Sequence, residues 1–169
     1  QGNSQIVHYG GDSHDLTRYR KGTLYFYNNT VVSTRSDRTT LFRLSSQYEA
    51  CEAWNNIFFV NQPGNRLAIS NADGRIRLSF NWLSHGWVPS HETLAGTVTA
   101  SETNLTGTDP GFVDATGQFR LEKSSPCVDA GLTGNPAAHP LPFEYRTRAK
   151  SKGRSTQGTI DLGAFEFVE

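Results

Sequence analysis

The sequence has no methionine and only two cysteines, neither of them in a CxxC pair. That is too few for a disulfide framework and gives no zinc-ligand spacing. Cys51 and Cys127 are therefore expected to be two buried thiols rather than one bridge. Charge is scarce as well: charged residues are 19% of the chain, and 16 Lys+Arg balance 16 Asp+Glu. Low charge excludes a coiled coil or long solvated helices. The balance excludes the basic footprint of a nucleic-acid binder. No stretch approaches the roughly 18 apolar residues of a membrane-crossing helix. Helical periodicity is nearly missing. No phosphate-cradling glycine loop or nucleophile elbow occurs.

What is present is strand-like. Aromatic residues at 11% argue against disorder. Short apolar runs such as Thr23-Leu24-Tyr25-Phe26-Tyr27 and Ile57-Phe58-Phe59-Val60 are bounded by turn residues. Asn3, Asn29, Asn56 and Asn81 recur at steps of 26, 27 and 25 residues; the segments at Asn29, Asn56 and Asn81 align, and Gly2-Asn3-Ser4-Gln5-Ile6 fits more loosely. A period in the twenties predicts a solenoid.

Strand alternation tests the alignment. Counting back from the asparagines gives one column of Asn28, Asn55 and Phe80. The next two inward columns are Phe26, Ala53, Leu78 and Leu24, Cys51, Ile76, all apolar or small. The intervening columns, Tyr27, Trp54, Ser79 and Tyr25, Glu52, Arg77 and Thr23, Ala50, Arg75, are wetter and fit an outer face. After the turn, Val31, Phe58 and Leu83 coincide, and a further strand aligns Phe42 and Leu44 with Leu67 and Ile69. Asparagine tolerates the left-handed backbone of a tight turn. Stacked asparagines can hydrogen-bond to one another up a ladder.

Gly22 to Val32 and Trp54-Asn55-Asn56-Ile57-Phe58 resemble the rung motif of right-handed parallel β-helix proteins, the pectate-lyase-like superfamily. Asp109-Pro110-Gly111-Phe112-Val113-Asp114, Ser124-Ser125-Pro126-Cys127-Val128-Asp129-Ala130-Gly131 and Asp161-Leu162-Gly163-Ala164-Phe165-Glu166 are similar to that group's closing segment. The resemblance implies an all-β fold, a short right-handed parallel β-helix. Rungs are expected over 1–88 and a closing segment, packed on the last rungs, over 89–169. It also implies an extracellular or cell-envelope location. Members of the group usually have many more rungs, with catalysis on the central ones. The expectation is a C-terminal, non-catalytic portion of a secreted protein, a structural cap that contacts carbohydrate. The alternative is part of a polysaccharide lyase or glycoside hydrolase acting on an acidic polysaccharide. No cofactor is expected except calcium in the lyase case. The open first rung is expected to be covered by upstream chain or by self-association.

Site candidates follow from residue type. Tyr25, Tyr27 and Trp54 offer a stacking platform for sugar rings, unless the closing segment covers them. Arg75, Arg77 and Glu52 supply cations and a base for a uronate, or form a cross-rung ion pair. Asp12, His14 and Asp15 lie in a polar loop as metal or acid–base candidates. His85, Trp87 and His91 are placed where the solenoid ends. Asp109, Asp114, Asp129 and Asp161 are read as turn formers. The stretch containing Arg146, Arg148, Lys150, Lys152 and Arg154 is read as a solvated loop. Asn28 and Asn104 open glycosylation sequons by pattern.

Overall fold

A computed structural model describes residues 5–11, 14–114, 117–134, 140–146, 150–155 and 157–168. The chain winds as a parallel β-solenoid. The first coil contributes β1 (Gln5–Tyr9), β2 (Gly22–Tyr27) and β3 (Thr30–Ser33). The second contributes β4 (Arg38–Leu44), β5 (Glu49–Trp54) and β6 (Ile57–Val60). The third contributes β7 (Arg66–Ser70), β8 (Arg75–Ser79) and β9 (Trp82–Ser84). Beyond residue 88 the ladders continue through β10 (Val88–Ser90), β11 (Thr97–Ala100) and β12 (Leu105–Gly107). Like strands stack into three four-stranded parallel sheets: A (β1, β4, β7, β10), B (β2, β5, β8, β11) and C (β3, β6, β9, β12). From β1 to β10 the chain completes three turns.

The expected register holds in sheets B and C. Leu24 pairs with Cys51 and Cys51 with Ile76; Phe26 pairs with Ala53 and Ala53 with Leu78. Val31 pairs with Phe58 and Phe58 with Leu83. Their inward side chains form one continuous core along the solenoid axis, with Phe26 stacked on Phe58 and edge-on to Phe42. Burying each large apolar side chain of the middle coils contributes about 1.5–3 kcal/mol.

Sheet A departs from the sequence alignment. Thr39, not Phe42, faces Leu67, and Phe42 faces Ser70. All of Phe42, Leu44, Leu67 and Ile69 still lie in the core, but consecutive Leu41 and Phe42 are both buried, so strict alternation fails there.

The corner between sheets B and C is built by the asparagines. Asn28 and Asn55 adopt positive φ of 52° and 56°, and Phe80 does so at 51° without an amide to help it. The next residue in each coil forms the ladder. Asn56 Oδ1 accepts from the backbone N–H and the Nδ2 of Asn29, Asn81 Oδ1 does the same for Asn56, and Asn104 Oδ1 the same for Asn81. Asn104 is thus a fourth rung that the sequence alignment left out. Both of its amide hydrogens are engaged by backbone carbonyls, so this sequon lies inside the ladder. Asn3 lies outside the described residues.

The closing segment packs lengthwise on the outer face of sheet C, not on the last rungs alone. Val32, Ile57, Phe59 and Trp82, from three successive coils, form a second apolar cluster with Phe112, Phe119, Leu121, Cys127 and Leu162. The Asn55 side chain bonds both the N–H and the carbonyl of Leu132, and Ala164 N–H donates to Thr30 Oγ1. Gly163 has φ 89° and lies against Thr30 and Ile57, so a side chain there would meet both the strain and the clash. The region read as a solvated loop contains a hairpin, β13 (Phe143–Arg146) and β14 (Lys150–Gly153). Glu144 on β13 and Glu166 are buried carboxylates, and they recruit Lys152 and Arg154 as internal ion-pair partners. Arg148 lies outside the described residues. Asp161 is likewise more than a turn former: buried, it accepts from the N–H groups of Asp129 and Phe167.

Candidate functional site

The outer face of sheet B brings the sequence candidates together. Outward residues align as Thr23, Ala50, Arg75, Thr97, then Tyr25, Glu52, Arg77, Thr99, then Tyr27, Trp54, Ser79. The closing segment is seated on sheet C, so Tyr25 remains 47% exposed. Two depressions of about 270 and 230 Å³ share Glu52, Arg77 and Thr99 and together form one shallow trough. Thr23, Arg75 and Thr97 line one end, and Trp54, Ser79 and Ser101 the other. Thr97 and Thr99 belong to the fourth coil, which the sequence alignment had not extended to sheet B.

Two arginines define the electrostatics. Arg77 Nη1 approaches Glu52 Oε1 at 3.6 Å, with the side chains 77% and 40% exposed. Solvent screening keeps such a pair below about 1 kcal/mol, so it orders the trough more than it stabilises the fold. Arg75 is exposed and, among the described residues, makes no ion pair or hydrogen bond. Strand geometry puts Arg75 and Arg77 on one face, about 7 Å apart along β8.

The aromatic group is only partly a platform. Tyr27 and Trp54 stack at 4.6 Å between ring centroids and 3° between planes, while Tyr25 meets Trp54 edge-on at 6.1 Å. Trp54 is 2% exposed, so its faces are already used. It supports the Tyr25 and Tyr27 rings and presents no free stacking surface of its own.

The other candidates are dispersed. Asp12 lies outside the described residues. Asp15 accepts from the Thr17 N–H and hydroxyl and pairs with Arg18 at 2.9 Å, and the Thr17 hydroxyl holds its carboxyl below the ordinary value. It serves its own turn. His14 is exposed beside it. Among the described residues no group of three His, Cys, Asp or Glu side chains is placed to hold a metal ion. His85, Trp87 and His91 do not mark the end of the solenoid, because β11 and β12 follow them. Trp87 packs on the main core, His85 is exposed, and His91 Nε2 lies 3.2 Å from the Thr39 carbonyl. Both cysteines are free and buried, and burial pushes each thiol up to about 12.

Glu49 was not singled out in the sequence. It is fully buried at the corner between sheets A and B, with Lys21 Nζ at 2.7 Å and the Ser46 hydroxyl at 2.6 Å. Burial raises its carboxyl, but the Lys21 and Ser46 hydrogen bonds outweigh that and leave it below the ordinary value. Its role is structural.

Comparison with protein-family models, curated proteins and solved structures yields no significant match.

Proposed function

We propose that the chain is a non-catalytic unit of an exported protein of the pectate-lyase-like β-helix kind, and that the outer face of sheet B holds an extended acidic polysaccharide. The observation that carries this reading is Arg75, an exposed cation with no partner among the described residues, on the same face as Arg77. Paired guanidiniums suit carboxylate or sulfate groups along a polymer. The trough is open and shallow, which suits a chain lying across it better than a small molecule enclosed by it. Tyr25 and the hydroxyls of Thr23, Thr97 and Thr99 supply an apolar edge and neutral hydrogen-bonding groups. A catalytic reading needs a base free to take a proton. The carboxylate lining the trough, Glu52, makes only a weak, exposed contact with Arg77, so the release of product in the assay below is what separates the two readings.

Affinity electrophoresis in polygalacturonate, alginate and glycosaminoglycans, with a neutral glucan as control, tests the proposal. Retardation by the acidic polymers alone is expected, and it should weaken with salt. Arg75→Ala with Arg77→Ala should reduce binding by about tenfold or more, since charge-assisted hydrogen bonds contribute about 1.5–3 kcal/mol each. Equal retardation in neutral glucan, or a double variant that binds like the parent, would overturn it. Unsaturated uronates appearing in the same incubations, and lost on changing Arg77 or Glu52, would replace it with a polysaccharide lyase, the reading that calls for calcium.

A further inference from the structure

The two ends of the solenoid are unlike the middle. Inward Cys51, Ala53, Ile76 and Leu78 are at most 2% exposed, whereas Leu24 and Phe26 in the first coil and Val98 in the fourth are only half-buried, and Ala100 is exposed. In sheets B and C, β2 and β3 form one edge and β11 and β12 the other. Neither of these edges carries a proline, and the β11 and β12 strands carry no charged residue, the usual guards against edge pairing; the proline of the fourth coil, Pro89, lies on β10 at the edge of sheet A.

The asparagine ladder is polar in the same direction. Each rung donates its N–H and Nδ2 forward and offers its Oδ1 backward. At the first rung, Asn29 Oδ1 accepts nothing among the described residues. At the last, Asn104 N–H turns to the Ser101 carbonyl in its own coil, and its Nδ2 bonds only the carbonyls of Leu78 and Ser101, without the onward rung that Asn56 and Asn81 bond. Among the described residues, one end has an acceptor without a donor, and the other lacks the onward acceptor that the Nδ2 of Asn56 and of Asn81 reaches in addition to its two carbonyls.

We infer that copies of this chain stack head to tail, the fourth coil of one copy against the first coil of the next. In that register Asn104 Nδ2 would share its hydrogens with Asn29 Oδ1, as Asn81 Nδ2 shares its own between two carbonyls and Asn104 Oδ1. Val98 would meet Leu24 and Ala100 would meet Phe26, a small-against-large contact already made inside the molecule by Ala53 and Phe26. Further chain ahead of the first coil would cover that end alone and leave the fourth coil open. A second copy satisfies both ends at once, and that argues for it as the occupant. The contact is heterologous and does not close, so it continues into a filament.

Sedimentation velocity over a wide concentration range tests this on the 169-residue chain. The expected result is a mass that grows past two copies as concentration rises. Ala100→Lys places a charge at an inward position of the exposed edge, where the monomer fold does not depend on it, and Thr106→Lys does the same on β12. Each should weaken association by about tenfold or more, equivalent to at least 1.4 kcal/mol, while circular dichroism and melting temperature stay those of the parent. A parent that remains monomeric, one that stops at a dimer, or lysine variants that associate as well as the parent would each overturn the inference.

Discussion

Removing the Asn56 amide is the most direct test of what holds the coils in register. This side chain is 0% exposed. Its Nδ2 donates at 2.9 Å to the Phe26 and Trp54 carbonyls and to Asn81 Oδ1, and its Oδ1 accepts from the Asn29 N–H at 2.9 Å and Asn29 Nδ2 at 3.0 Å. Truncation to alanine leaves these groups short of a partner where water has no access. At about 1 kcal/mol net per bond the five contacts set an upper bound near 5 kcal/mol. Asn81 Oδ1 keeps its bond from the Asn56 N–H, and some relaxation follows, so the expected loss is about 3–4 kcal/mol. For a chain of this size that is a fall in melting temperature of about 10 °C. Denaturant unfolding followed by circular dichroism measures it. Asn56→Asp is the companion variant: it keeps the oxygen that accepts from Asn29 but replaces the amide nitrogen with an acceptor aimed at three others. Its buried carboxyl would have a folded pKa above the unfolded value, so its stability is greatest in acid and is lost as pH rises through the folded pKa. An alanine variant costing less than about 1 kcal/mol, or an aspartate variant indifferent to pH, would refute the ladder as a principal source of stability.

Two other measurements follow from the geometry. Phe80 occupies the left-handed turn at φ 51° that asparagine fills in the two coils before it, and it belongs to neither apolar cluster. Phe80→Asn should therefore stabilise the protein by about 0.5–1 kcal/mol, because a left-handed conformation costs a bulky L-residue about 1–2 kcal/mol; calorimetry reads this as a melting point higher by a few degrees. Burial raises the carboxyls of Asp161 and Glu166 above the ordinary value, even though each accepts backbone hydrogen bonds and faces Arg154. A raised folded pKa stabilises below the unfolded pKa, and that contribution is lost as pH rises through the folded one. Asp161→Asn should flatten the part of the stability profile just above the ordinary carboxylate range, as urea midpoints across that range would show; an unchanged slope would rule out this contribution.

The parts of the fold that were legible in the sequence are those with constant geometry. The B–C corner is a fixed tight turn, so its asparagines and the strands on either side keep a nearly constant spacing. Sheet A is entered and left through turns of variable length. Gln5, Thr40, Ala68 and Val88 share one row at steps of 35, 28 and 20 residues, and no alignment at a fixed period finds them. The shortening of the last coils also concealed Asn104, which follows Asn81 by 23 residues rather than 25 to 27. A search for Asn followed by an apolar residue at a shrinking step finds it. On the candidate site, alternation placed Tyr25, Glu52, Arg75 and Arg77 together, because outward residues of adjacent rungs must be neighbours. It had no means of detecting that Trp54 is buried, since outward orientation and exposure differ wherever rings pack on one another. The hairpin and its buried carboxylates were illegible for a related reason: Lys152 and Arg154 look like solvent residues until Glu144 and Glu166 are placed opposite them.

The closing segment has a consequence for how the protein is made. In a simple solenoid each coil touches only its neighbours, so early coils can settle while later ones are still being synthesised. Here Ala164 bonds Thr30, and the Asp161 carbonyl accepts from the Asn28 side chain, across more than 130 residues of chain. The outer face of the first two coils therefore waits, with apolar Val32 and Ile57 uncovered, until the segment around residues 161–164 has been made. A chain cut before residue 160 would keep its coils but lose part of their cover, and a sticky surface would distinguish it from the parent.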